Sequence, residues 1–137
     1  MSLSAARNIV RRAVARIAVT VKNGTTIYAG ALVTLLTADG TAVPAGTASA
    51  GVAVGVARAT VTGDGTLTVD VEPGCFRFDN SASTDQITAA DIGNTCYIVD
   101  DSTVAKTDNS AARKAAGVVA DVDDIGVWVI VGKPVTA

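Results

Sequence analysis

From residue 17 onward the chain alternates short apolar runs with turn residues, at spacings of roughly 8–14 residues. IAVTV (17–21) is followed by Asn23-Gly24, a two-residue hairpin signal leading into TTIYAGALVTLLT (25–37). Asp39-Gly40 turns the chain into TAVPA (41–45), and after the small-residue stretch AGTASA (45–50), GVAVGVARATV (51–61) reads as a strand. Gly63-Asp64-Gly65 predicts another tight turn. In TLTVDVEPGCFRFDN (66–80), Leu67, Val69 and Val71 point to one face and Thr66, Thr68 and Asp70 to the other, with a bend or bulge at Pro73-Gly74. Thr88–Asp91 predicts one helical turn closed by Gly93-Asn94. TCYIVDD (95–101) is a strand, STVAKTDNSAARK (102–114) a polar loop or small hairpin, and AAGVVADV (115–122) a strand. The chain turns again at Asp123-Asp124-Ile125-Gly126. The last strand, GVWVIVG (126–132), is apolar throughout. That run predicts burial on both faces, or one face in the core and one in a subunit interface. Ala50-Gly51-Val52 and Ala116-Gly117-Val118 echo each other but are too short to count as a repeat.

The pattern predicts an all-β fold: a small β-barrel or sandwich of about eight to ten short strands, preceded by a basic N-terminal arm or short helix. The organisation is one body, residues 23–137, with residues 1–22 leading into the first strand. Over residues 4–15, Ile9, Val10, Ala13 and Val14 fall at helical spacing behind a potential Ser4 cap, and an extended arm is the alternative.

Composition narrows the chemistry. At 137 residues and 49% apolar content, one domain with its own core is expected, and 4% aromatics leave Val, Ala, Ile and Leu to build it. There is no histidine, which removes Ser-His-Asp and Cys-His catalysis and every His-ligated metal site. Charge is uneven. Residues 1–22 carry Arg7, Arg11, Arg12, Arg16 and Lys22 and no acid, whereas residues 23–137 carry 6 basic and 13 acidic side chains, a balance of −7. The basic segment is either a solvated face or an arm for an acidic surface, and four arginines without interleaved aromatics make a thin nucleic-acid footprint. The segment has the Arg-, Ser- and Ala-rich look of a transit peptide. Arg11, Arg12 and Arg16 interrupt any secretory core, and no stretch approaches the ~20 apolar residues of a membrane span, so a soluble, non-secreted chain is expected.

Candidate reactive groups are few. Asp39, Asp64, Asp79, Asp123 and Asp124 sit in turn sequences, where aspartate serves local backbone hydrogen bonding. DVDDIG (121–126) departs from the calcium-loop pattern. Cys75 and Cys96 read as buried, reduced hydrophobes. Gly51, Gly55, Gly63 and Gly65 are assigned to tight turns. Trp128 is either core filler or a subunit-interface anchor. The expectation is a structural or interacting protein rather than an enzyme, with no catalytic residue, metal or cofactor.

Residues 25–132 as a whole resemble a known family. The carrying segments are TTIYAGALVTLLTADGTAVPAG (25–46), GVAVGVARATV (51–61), VEPGCFRFDN (71–80), ITAADIGNTCYIVDDSTVAKTD (87–108) and AAGVVADVDDIGVWVIVG (115–132). In this order they are similar to the small capsid decoration, or cement, proteins of tailed bacteriophages. Residues 1–20 lie outside the resemblance. It implies a β-barrel without catalytic residues on the outer surface of an expanded head, made in the bacterial cytoplasm. It further implies a homo-oligomer, a trimer ahead of a dimer, that bridges major capsid protein subunits and needs neither nucleic acid nor membrane. Arg7, Arg11, Arg12, Arg16 and Trp128 are the candidate partner-contact residues. The alternatives are another virion module, in the tail or a head spike, and a small-ligand-binding β-barrel.

Overall fold

The valine-, threonine- and glycine-rich runs form twelve short strands in a computed structural model that describes Ala5 and residues 16–132. They are β1 (Ile17–Thr20), β2 (Thr26–Ile27), β3 (Leu32–Leu35), β4 (Ala42–Pro44), β5 (Gly55–Ala57), β6 (Val61–Thr62), β7 (Thr68–Glu72), β8 (Gly74–Asn80), β9 (Thr95–Ile98), β10 (Thr103–Ala105), β11 (Ala115–Asp123) and β12 (Gly126–Val131). The count exceeds the expected eight to ten because two long runs break and because β10 forms within residues 102–114, where a polar loop or small hairpin is expected. Residues 25–37 divide into β2 and β3 at the Ala29-Gly30 turn, and residues 51–61 divide into β5 and β6. The expected helix or arm over 4–15, including Ser4, lies outside the described residues except for Ala5.

Two lobes result. The first is a five-stranded sheet in the order β1-β7-β5-β3-β4. Its open side is bridged where Val21, just beyond β1, meets Ala42 of β4 in parallel, with the Lys22 amide donating to the Ala42 carbonyl at 3.1 Å. The β2–β6 ribbon is a separate two-stranded pair that carries the fully buried Ile27. The second lobe is a closed barrel in the order β10-β8-β12-β11-β9, with β9 pairing β10 to complete the ring. Closure removes the exposed strand edges that otherwise invite aggregation.

Pro73 separates the lobes. Proline has no N–H to donate to a ladder, so the run 66–80 leaves the sheet as β7 and enters the barrel as β8, as the predicted bend implies. The Asn23-Gly24 signal resolves differently. The turn forms, with Gly24 at φ +79°, but β1 pairs with β7 and β2 with β6, so no hairpin joins β1 to β2. The Gly24 amide instead donates to the carbonyl of Gly63, tying two turns together.

Each lobe has a core, and β3 and β5 serve both. Leu32 and Val56 pack in the barrel-side cluster with Phe78, Ile98, Val119 and Val129. Their neighbours Val33 and Ala57 pack in the sheet-side cluster with Val21, Ile27, Val69 and Val71. Successive strand residues face opposite ways, so a strand buried on both faces must be apolar at every position. Small side chains let these layers approach. A Cβ on Gly55 would lie 2.6 Å from Val71 Cγ1 and 2.7 Å from the Glu72 carbonyl oxygen, and one on Gly63 would collide with the Lys22 carbonyl. Close approach, rather than a turn conformation, requires glycine at both positions; Gly65, at φ +96°, is the turn residue.

Below the barrel, Ala89–Asp91 forms the predicted turn of 3₁₀ helix. The Asp91 carboxylate accepts from the Thr88 amide at 2.9 Å and from the Thr88 hydroxyl, and Gly93 adopts φ +91°. The Asn80 side chain clamps the Ile87 backbone, donating to its carbonyl at 2.8 Å and accepting from its amide at 2.9 Å. That pairing holds the fully buried Ile87 side chain in the barrel core.

Candidate interaction surface

The outward positions of the barrel follow from strand alternation. In β8, Phe78 is buried and Phe76 packs partly against the core, so Cys75, Arg77 and Asp79 face out. The expectation that Cys75 is buried is therefore corrected: its thiol is exposed and free. Cys96 is free and buried, and loss of hydration pushes its thiol pKa up to about 11.

In β12, Val127, Val129 and Val131 are fully buried, while Trp128 and Ile130 lie on the outer face. Register aligns the outer residues of adjacent strands. Cys75 pairs with Ile130, Ile130 with Val118, and Val118 with Thr95, a row that crosses β8, β12, β11 and β9. Ile130 and Val118 retain 36% and 38% of their accessible surface, so two branched side chains stand together in solvent. The next row is Arg77, Trp128 and Asp121.

Trp128 is half-buried on this outer face and not among the buried core residues. Its indole Nε1 donates to Asp123 Oδ2 at 2.9 Å, and the Arg77 guanidinium lies 5.7 Å from the ring centroid. Both contacts fix the indole on the outer face. Arg16, the one candidate arginine among the described residues, is exposed at the entrance to β1, in the other lobe; Arg7, Arg11 and Arg12 lie outside the described residues. The structure therefore does not place Trp128 and Arg16 in one site. Sequence reasoning missed Val118, Ile130 and Arg77 as surface residues. The signal was present in the alternation of CFRFDN and in the β-branched character of both faces of GVWVIV.

Three of the five expected turn carboxylates, Asp39, Asp64 and Asp123, are engaged locally as predicted, whereas Asp79 lies within β8 and faces out rather than sitting in a turn. Asp64 Oδ1 accepts from the amides of Thr66 and Leu67, both at 2.8 Å, and from the Thr66 hydroxyl. Asp39 accepts from the amide and hydroxyl of Thr41. Asp123 accepts from the Trp128 indole and the Ile125 amide. These donors favour the ionised form and hold all three carboxyls below the usual carboxylate range. At Asp100, partial burial opposes ionisation, but hydrogen bonds from Ser102 and Thr103 outweigh it and the net shift is also downward. Among the described residues, no cluster of three or more Cys, Asp or Glu side chains is placed to hold a metal ion.

The described residues also form several clefts. One of about 360 Å³ lies between the lobes and is walled by Val52, Val54, Ala115, Ala116, Gly117 and Gly132. A polar one of about 650 Å³ beside the β11–β12 turn is lined by Asp79, Asp123 and Asp124, among others. A third, about 320 Å³, has Thr47, Ser49, Arg113 and Lys114 on its walls. Set against protein families, curated proteins and solved structures, the chain matches none.

Proposed function

We propose that the chain is a capsid decoration protein of a tailed bacteriophage, a mechanical part of the virion with no catalytic role. In this reading it sits as a homotrimer on the outer surface of the expanded head and bridges neighbouring major capsid protein subunits. The observation that carries the reading is the outer face of the closed barrel, where Ile130, Val118 and Trp128 present an apolar surface on a rigid frame. The resemblance of residues 25–132 to cement proteins supplies the partner, and the basic segment supplies a complement to an acidic capsid surface.

The physics is that of a ligand for the assembled state. A protein that binds the expanded lattice but not its dissociated subunits stabilises the lattice by mass action. A trimer makes several such contacts at once, so modest individual affinities combine into high avidity. Packaged DNA pushes the shell outward, and added interface at the junctions between capsomers raises the cost of separating them.

The test is co-sedimentation with expanded, DNA-free phage heads, followed by heating. The expected result is saturable binding by an oligomer and a higher disruption temperature for the decorated heads. A monomer that fails to sediment with heads at any concentration overturns the reading. Assembly into rings or tubes without head binding points to a tail component instead.

A further inference from the structure

We propose that Ile125, at the tip of the β11–β12 hairpin, seats in the apolar cleft between the lobes of a second copy of this chain, so that protomers join head to tail. Ile125 retains 68% of its accessible surface, the largest value for any large apolar side chain among the described residues. The Asp123 carboxylate accepts from the Ile125 amide at 2.9 Å and from the Trp128 indole, which fixes the tip to the barrel wall. The cleft holds about 360 Å³. Apolar cavities of about 150 Å³ already take up benzene, so one branched side chain fits. Water is favourably displaced from both apolar surfaces when they meet.

Three observations select a second copy as the occupant. The first is distance. Gly117 and Gly132 line the cleft at one end of the β11–β12 pair, and Ile125 stands at the other. The strand from Gly117 to Asp123 spans about 20 Å, so no chain fills its own cleft with its own tip. The second is a seat formed in advance. The Ala53 amide donates to the Ala115 carbonyl at 3.0 Å and ties the walls from the two lobes together. Val52 beside them keeps 51% of its accessible surface, open to an incoming side chain.

The third is charge. Asp124, next to Ile125 on the tip, is exposed. Lys114, next to Ala115 on the cleft wall, is exposed too, and it joins no ion pair among the described residues. Seating the tip brings the Asp124 carboxylate towards the Lys114 ammonium, a complementary pair at the rim. Val118 and Ile130 pair immediately beside Gly117, so the incoming hairpin also crosses the apolar outer wall. The contact is heterologous. Each copy gives one tip and takes one, and a closed three-fold ring leaves neither a tip nor a cleft unfilled. The inference rests on the homo-oligomer of the reading above and names its contact.

The test measures the mass of the full-length protein by light scattering. Wild type is expected at about three times 13.7 kDa, and Ile125→Asp and Val52→Asp each at 13.7 kDa with an unchanged circular dichroism spectrum. At low ionic strength Asp124→Lys and Lys114→Asp are each expected to weaken assembly, and the double variant to restore it. As a second measurement, Ile125→Cys/Val52→Cys in a Cys75→Ser background is expected to give a disulfide-linked three-chain species under mild oxidation. Ile125→Cys alone in that background is expected to stay unlinked. A wild-type trimer whose mass neither aspartate variant changes overturns this contact and leaves the phage-head reading standing. Dissociation by Ile125→Asp without dissociation by Val52→Asp means that the tip docks elsewhere, and also overturns it. Dimers linked through Ile125→Cys alone show tip meeting tip and do the same. A wild-type monomer at every concentration overturns the contact, and if it also fails to sediment with expanded heads, the phage-head reading falls with it.

Discussion

At the scale of single residues, the aspartates show how local chemistry is tied to stability. Asp64 receives three hydrogen bonds inside the turn that connects β6 to β7, and Asp39 and Asp123 act similarly in theirs. Each carboxyl ionises in the folded chain below its ordinary value of 3.8. A lowered folded-state pKa means that the stabilisation is complete above the unfolded value and lost as pH falls through the folded one. The protein is therefore expected to hold its melting temperature from neutral pH down to about pH 5 and to lose it progressively below about pH 4. Asp64→Asn removes one titrating group. It is expected to melt lower than wild type at neutral pH and to show a smaller further loss on acidification. Parallel melting curves for the two proteins across the acid range would remove Asp64 from the account.

At the scale of elements, strand existence was legible in the sequence and strand partnership was not. Alternation in 66–72 identified β7 and its buried Val69 and Val71, and Pro73-Gly74 marked where it ends. Asp39-Gly40 correctly joined β3 to β4. Asn23-Gly24 carried the strongest short-range hairpin signal, yet the chain crosses there between separate sheets, because burying Ile27 and Val21 in one core outweighs local turn preference. Leu67 followed the apolar alternation of β7 but lies just before the strand and remains 49% exposed. The loop 106–114 was legible only as polar. Its backbone is unusual, with Asn109, Ser110 and Ala111 all at positive φ, between 50° and 68°. It is held by the Arg113 guanidinium, which donates to the Thr107 carbonyl at 3.1 Å and lies 3.3 Å from Asp85. A left-handed alanine costs roughly 1–2 kcal/mol, and glycine relieves this at an entropic cost of roughly 0.5–1 kcal/mol. Ala111→Gly is therefore expected to stabilise the protein by up to about 1 kcal/mol, read from urea unfolding. Destabilisation would mean that the loop does not hold this conformation in solution.

At the scale of the whole molecule, the arrangement separates stability from contact. Two cores share β3 and β5, so the lobes cohere through strands that are apolar on both faces. The barrel's outer wall is left to carry residues that the fold itself does not need buried. Trp128 was legible as a candidate because it is the single tryptophan in an apolar strand, but which outward residues stand beside it was not. Ile130, Val118 and Cys75 come together through register across three strands, and register depends on partners that a linear sequence does not name. This wall yields the prediction that best divides a protomer role from an assembly role. Ile130 is 36% exposed, so Ile130→Asp places its carboxylate in water in an isolated protomer and is expected to leave the melting temperature within a few degrees of wild type. In a trimer built through this wall the same carboxylate would be buried without a partner, which is unfavourable enough to dissociate it. Light scattering is then expected to fall from about three times 13.7 kDa to 13.7 kDa. Trp128→Ala is expected to act in the same direction but more mildly, because it also frees Arg77 and Asp123 from the indole. If both variants keep the wild-type mass, the apolar wall serves another contact, and the search for the protomer interface moves to the first lobe and the exposed entrance to β1.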